Sequence, residues 1–137
     1  MTKIVIHCDW GGFKLSDENV RRYSTISGKS LFQVEYEDFP MWFTKPKEEH
    51  PEWLVDKDHR ELTSKEQHEY YSSWDAINFF PNDIARNDPA LVQVVEEMLH
   101  SGEVTDLRVV EIPDDVKWHI HNYDGFEHVA ENHRTWR

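Results

Sequence analysis

A single cysteine, Cys8, stands in the whole chain, so no intrachain disulfide can form and neither a cysteine zinc cluster nor a cystine-stapled secreted scaffold is available. It follows Ile6 and His7 at the end of an apolar run, where it reads as a small buried side chain rather than a reactive thiol. Long apolar runs are missing as well. Nothing approaches the ~20 apolar residues that span a bilayer, and Met1-Thr2-Lys3-Ile4-Val5-Ile6-His7 is too short in apolar character for a secretory signal. A soluble cytoplasmic protein without membrane contact is expected. Basic residues are scarce: 15 Lys and Arg face 27 Asp and Glu, a formal charge of −12 over 137 residues. Affinity for a phosphate backbone comes from cations that release counterions, so direct binding of duplex nucleic acid is set aside. No internal repeat and no low-complexity segment breaks the chain.

What is present is aromatic. The hydrophobic fraction, 38%, is low for a globular chain, but 13% of residues are aromatic, six of them Trp. Such side chains supply buried area that disordered chains lack, and the length suits one domain. Ile4-Val5-Ile6 reads as a buried strand running into the turn Asp9-Trp10-Gly11-Gly12. Ser16 is placed to cap a helix with Asp17 and Glu18 in its first turn, and Gly28 to end it. Phe32, Val34 and Tyr36 alternate with polar residues as in a half-buried strand.

Residues 38–81 are less regular, rich in charge, proline and aromatics; within them Thr63-Ser64-Lys65-Glu66 matches a capping box, which predicts a short helix through Tyr70 and Tyr71. The aromatics of this excursion are too many to leave in water, so it should pack on the core or on a partner subunit. A clearer helix starts at Asn87-Asp88-Pro89, runs through Leu91, Val94, Val95 and Met98, and closes at Gly102. Leu107 to Ile112 follows as a strand. Asp124-Gly125 then predicts a type I′ hairpin in which Tyr123 faces Phe126, His121 faces His128 and His119 faces Ala130. Together these give a single α+β domain over residues 1–137, with a mixed five-stranded sheet, a C-terminal β-hairpin and two or three helices.

Three segments carry a resemblance: Lys3-Ile4-Val5-Ile6 leading to Gly11-Gly12-Phe13-Lys14-Leu15-Ser16; Arg86-Asn87-Asp88-Pro89-Ala90-Leu91-Val92-Gln93-Val94-Val95-Glu96-Glu97; and Glu111-Ile112-Pro113-Asp114-Asp115 through Tyr123-Asp124-Gly125 to Val129-Ala130-Glu131-Asn132-His133-Arg134-Thr135-Trp136. Together they resemble a group of small, mostly uncharacterised proteins encoded by tailed phages and prophages. About half the chain is covered, and Glu37 to Ser73 departs from the pattern. The resemblance implies a phage accessory role in the host cytoplasm, counter-defence included, and carries no catalytic residues with it.

The loop Asp9 to Lys14 joins a strand to a helix N-terminus, a geometry that can present backbone N–H groups to a phosphate, with Lys14 supplying charge. It is neither a P-loop nor a dinucleotide fingerprint, and turn-making alone also accounts for Gly11 and Gly12. Arg86 and Arg134 stand out because cations are rare, and guanidinium forks suit phosphate or carboxylate; they are equally suited to structural salt bridges. Trp136 or Trp10 offers a stacking face. Gly11, Gly12, Lys14, Arg86, Arg134 and Trp136 are therefore the candidate ligand-binding set. His119, His121 and His128 share one hairpin face in number enough for a zinc site, but Glu127 and Glu131 point to the other face, so a solvent-facing cluster is the reading preferred.

No nucleophile elbow, no H-E-x-x-H and no distinctive carboxylate pair is found, and neither catalysis nor a cofactor is expected. The leading reading is an accessory protein that binds a small nucleotide-like host signal. The alternative is an acidic inhibitor or nucleic-acid mimic that binds a host defence protein, although the charges from Lys45 to Asp75 are mixed in sign. A histidine-dependent metal hydrolase is the third. A homodimer is expected from the aromatic density.

Overall fold

The computed structural model describes residues 1–10 and 12–132, Asp56 by its backbone alone. Its elements run β1 (Thr2–His7), α1 (Asp17–Ser27), β2 (Phe32–Tyr36), β3 (Phe39–Phe43), α2 (Asp56–Arg60), α3 (Ser64–Asp75), α4 (Pro89–His100), β4 (Leu107–Ile112), β5 (Trp118–Tyr123) and β6 (Phe126–Glu131). The chain is α+β. The five-stranded sheet is not what forms: the described strands make three antiparallel pairs, β1 with β4, β2 with β3 and β5 with β6. A fourth helix, the short α2, adds to the three read from the sequence. Two compact units emerge, one from Met1–Ser27 with the described residues from Pro81 on, the other from Gly28–Phe80.

In the first unit the helix signals act as their chemistry dictates. Ser16 Oγ accepts from the Asn19 backbone N–H at 3.3 Å, and Gly28 at φ +74° ends α1 in the left-handed conformation that a Cβ disfavours. Asp88 caps α4 through Oδ1, which accepts from Ala90 N at 2.8 Å, while its Oδ2 accepts a hydrogen bond from the hydroxyl of the buried Tyr23 at 2.9 Å. One carboxylate thus satisfies a helix end and a core phenol. Leu91, Val94, Val95 and Met98 turn inward with Val20 and Tyr23 of α1 and Ile4, Val5 and Ile6 of β1. β1 is buried from Ile4 to His7, where both edges are occupied: β4 lies on one side, and on the other Val5 N donates to Arg86 O at 2.8 Å. The C-terminal hairpin has the register expected, His121 opposite His128 and His119 opposite Ala130, around Asp124 and Gly125 at φ +53° and +98°.

The second unit has its own aromatic centre. Phe43 is fully buried, with Tyr36 and Trp74 set edge-on or tilted around it at 5.9 and 5.8 Å. His50 Nε2 donates to Lys45 O, which leaves Nδ1 to accept from the Tyr36 hydroxyl at 2.7 Å. Burial, and then the neighbouring Tyr70, hold the Tyr36 phenol above its ordinary pKa, so it stays a donor. The capping box forms as read: Thr63 and Glu66 bond each other's backbone N–H at 3.2 and 3.1 Å. The β2–β3 turn is the surprise, since Glu37 and Asp38 both take positive φ, +50° and +67°, with no glycine to ease it.

Candidate functional site

β1 runs inward through Ile6 and His7, and at Cys8, which is exposed and not buried as its apolar neighbours suggest, a single bridge to Phe126 carries the strand to the hairpin. The chain then turns. Asp9 Oδ1 accepts from Trp10 N at 2.7 Å, and the Trp10 ring is 59% exposed, set perpendicular to Phe126 at 4.7 Å with Tyr123 at 6.5 Å. Gly12 follows at φ +88°. His7, Trp10, Gly12, Lys14, Thr105 and Asp106 line a cleft of about 240 Å³, with the buried Leu107 and the exposed Val104 also in contact with it. Lys14 and Asp106 are its two full charges among the described residues, one of each sign.

Behind the cleft lies a buried polar network. Glu127 Oε1 accepts from Arg86 Nη1 at 2.6 Å and from His7 N at 2.7 Å, and Oε2 accepts from Arg86 Nη2 at 3.0 Å. Only 15% of the Arg86 side chain and 4% of the Glu127 side chain reach solvent. The guanidinium also lies over the Phe13 ring, 4.2 Å from its centroid. His7 donates from Nδ1 to Gly125 O at 3.0 Å, which fixes that proton and aligns the ring. The network ties β1, the approach to α4 and the hairpin together.

These positions sort the candidates. Gly12 and Lys14 meet in the cleft, with Trp10 beside them. Arg86 does not line it; its fork is spent on Glu127, the structural salt-bridge use rather than the anion-binding one. Gly11, Arg134 and Trp136 lie outside the described residues. On the hairpin, the His121 and His128 rings sit 4.8 Å apart, while His119 Nδ1 bonds Asn132 Oδ1, so the three imidazoles are not gathered on one point. Among the described residues no group of three His, Cys, Asp or Glu side chains is placed to hold a metal ion. No helix of the described chain is long and apolar enough to cross a membrane.

Sequence reasoning missed His7, Thr105 and Asp106, which reach the cleft from β1 and from the loop before β4. Their only signal was position, next to the two ends of strands that turned out to pair. A wider groove of about 700 Å³ between the start of β1 and α4 is less promising, because Lys3 on its wall already pairs with Glu96 at 2.9 Å. Set against known proteins, the chain matches no family model, and no curated protein or solved structure matches it.

Proposed function

We propose that this protein acts by binding, without catalysis, and that the cleft at Trp10, Gly12 and Lys14 receives a small nucleotide-like anion. The observation that carries the reading is the meeting of those three residues in one cleft of about 240 Å³. Each supplies a separate requirement. Gly12 lets backbone approach a phosphate, Lys14 brings a cation, and Trp10 offers a ring for a base to stack on. Asp106 opposes a bare anion but accepts hydrogen bonds from ribose hydroxyls, so a nucleotide suits the cleft better than free phosphate. In the phage setting that the resemblance implies, the ligand is a host defence signal held in the host cytoplasm. Arg134 and Trp136 join the proposal from sequence alone.

Thermal unfolding against a panel of linear and cyclic nucleotides tests this. A ligand at 100 times its Kd should add about 2.7 kcal/mol to stability. Trp10→Ala should weaken binding by about 1–3 kcal/mol and Lys14→Ala by about 1.5 kcal/mol. No shift across the panel would reject the reading. The exposed trio Trp10, Tyr123 and Phe126 favours a second one, an acidic inhibitor docked on a host protein, since aromatic clusters of this kind anchor interfaces. A purified complex with a host nucleic-acid enzyme, lost on Tyr123→Ala, would favour it over the first.

A further inference from the structure

The second unit holds a pocket of about 180 Å³ that the cleft at Gly12 does not involve. Rings make most of its wall, and Met41, Asp75 and Asn78 complete it. Trp53 enters from the segment before α2, and Tyr70, Tyr71 and Trp74 from one side of α3, the last pair of wall positions being i and i+4 to each other for Tyr70 and Trp74. Tyr70 also accepts from Leu54 N at 3.2 Å, which holds the Trp53 segment against the helix. The rings meet at steep angles: Trp53 to Trp74 at 86° and 5.6 Å, Tyr70 to Tyr71 at 73° and 5.4 Å, Tyr70 to Trp74 at 66° and 6.3 Å. Walls so inclined make a box. A nucleobase wants a parallel slot, and these rings do not provide one.

The charge of the box has one sign. Among the described residues no Lys or Arg lines it, and its single fully charged group is Asp75. Asp75 is the last residue of α3, at the negative end of the helix dipole, where a carboxylate costs helix stability instead of adding to it. Carboxylate and helix end therefore reinforce each other in attracting a cation. Between residues 28 and 80 acidic side chains outnumber basic ones twofold, which raises the local concentration of cations further. Aromatic faces bind cations through the ring quadrupole, Trp best of all, and most strongly where water is excluded. The volume is below the range usual for drug-sized ligands and suits a compact head group. Two groups on lining side chains, Trp74 Nε1 and His59 Nε2, are buried without a hydrogen-bond partner, capacity that a hydroxyl carried next to the ammonium would use.

We propose that this pocket binds a small quaternary or alkylammonium compound, caged by Trp53, Tyr70, Tyr71 and Trp74 and paired with Asp75. The test is calorimetric titration of the full chain with choline and with its uncharged carbon isostere, 3,3-dimethylbutan-1-ol, at matched ionic strength. Choline should bind saturably and about tenfold tighter than the isostere, and Tyr71→Ala and Asp75→Asn should each weaken choline several-fold. Tyr71 is 51% exposed and Asp75 sits where neutralisation favours the helix, so Tyr71→Ala should stay folded and Asp75→Asn should not lower the unfolding midpoint. No saturable binding at millimolar choline, equal affinity for the isostere, or an unchanged affinity in Asp75→Asn would each overturn the proposal. A trimethyl-lysine peptide that bound more tightly than choline would overturn the small-molecule source and assign the cage to a protein side chain.

Discussion

Arg86 shows how a residue can stand out in a sequence while its partner stays hidden. Its rarity in an acidic chain is visible in the sequence; its partner Glu127, 41 residues away on the hairpin, is not, because residue type says nothing about which chain segment will lie alongside. Breaking the pair should be costly. Arg86→Met strands a carboxylate in the interior and should destabilise the fold by about 3–5 kcal/mol, with Arg86→Met/Glu127→Gln recovering part of that loss, as read from urea unfolding. A loss no larger than that of a surface substitution would show the pair to be dispensable. Three exposed carboxylates make the stability depend on pH. Hydrogen bonds from the Thr63 backbone to Glu66, from Arg22 to Glu97 and from Thr2 to Asp114 hold all three below their ordinary values. Each binds fewer protons folded than unfolded, so its contribution is whole above the ordinary carboxylate pKa and disappears as pH falls through the lowered one. The melting temperature should therefore drop on acidification across that window, and Glu66→Gln should make the drop shallower.

Elements were legible where a local signal marked both ends. Asp88-Pro89 and Gly102 bracket α4, the Thr63 box starts α3, and Asp124-Gly125 sets the hairpin register residue by residue. The β2–β3 hairpin had no such mark. Its turn is Glu37-Asp38, and Pro40 in the returning strand argues against a strand at all, although its side pairs with Glu35 without need of a further donor. Both turn residues carry left-handed φ that glycine or asparagine would adopt more cheaply. Glu37→Asn/Asp38→Gly should stabilise the protein by about 0.5–1 kcal/mol, measurable as a higher urea midpoint at unchanged m. A lower midpoint would mean that the carboxylates hold this turn by contacts stronger than its strain.

At the scale of the whole molecule, strands could be read but not their partners. A strand, helix and strand in the first 37 residues suggested one sheet; instead β2 closes on its sequence neighbour β3, and β1 takes the distant β4. The cleft was half legible for the same reason: Gly12 and Lys14 sit on the loop that drew notice, while Thr105 and Asp106 arrive with β4. Much aromatic surface is left over, with Trp10, Phe39, Phe80 and Tyr123 each more than half exposed. Light scattering should return twice the 16.4 kDa chain mass, more completely as salt screens the −12 charge of each copy. A monomer mass throughout the micromolar range would refute it.

The bond from His7 N to Glu127 has a consequence beyond folding energy. Together with the bond from Val5 N to Arg86 O it occupies two of the donors of β1 that point away from β4. Ile4-Val5-Ile6 is the kind of β-branched segment that, with a free edge, recruits copies of itself into fibrils, and here a carboxylate and a loop carbonyl seal that edge. Arg86→Met should thus assemble into thioflavin-positive aggregates sooner than Leu91→Ala, a core variant of comparable instability in which the seal is intact; equal lag times would show that global unfolding alone exposes the strand.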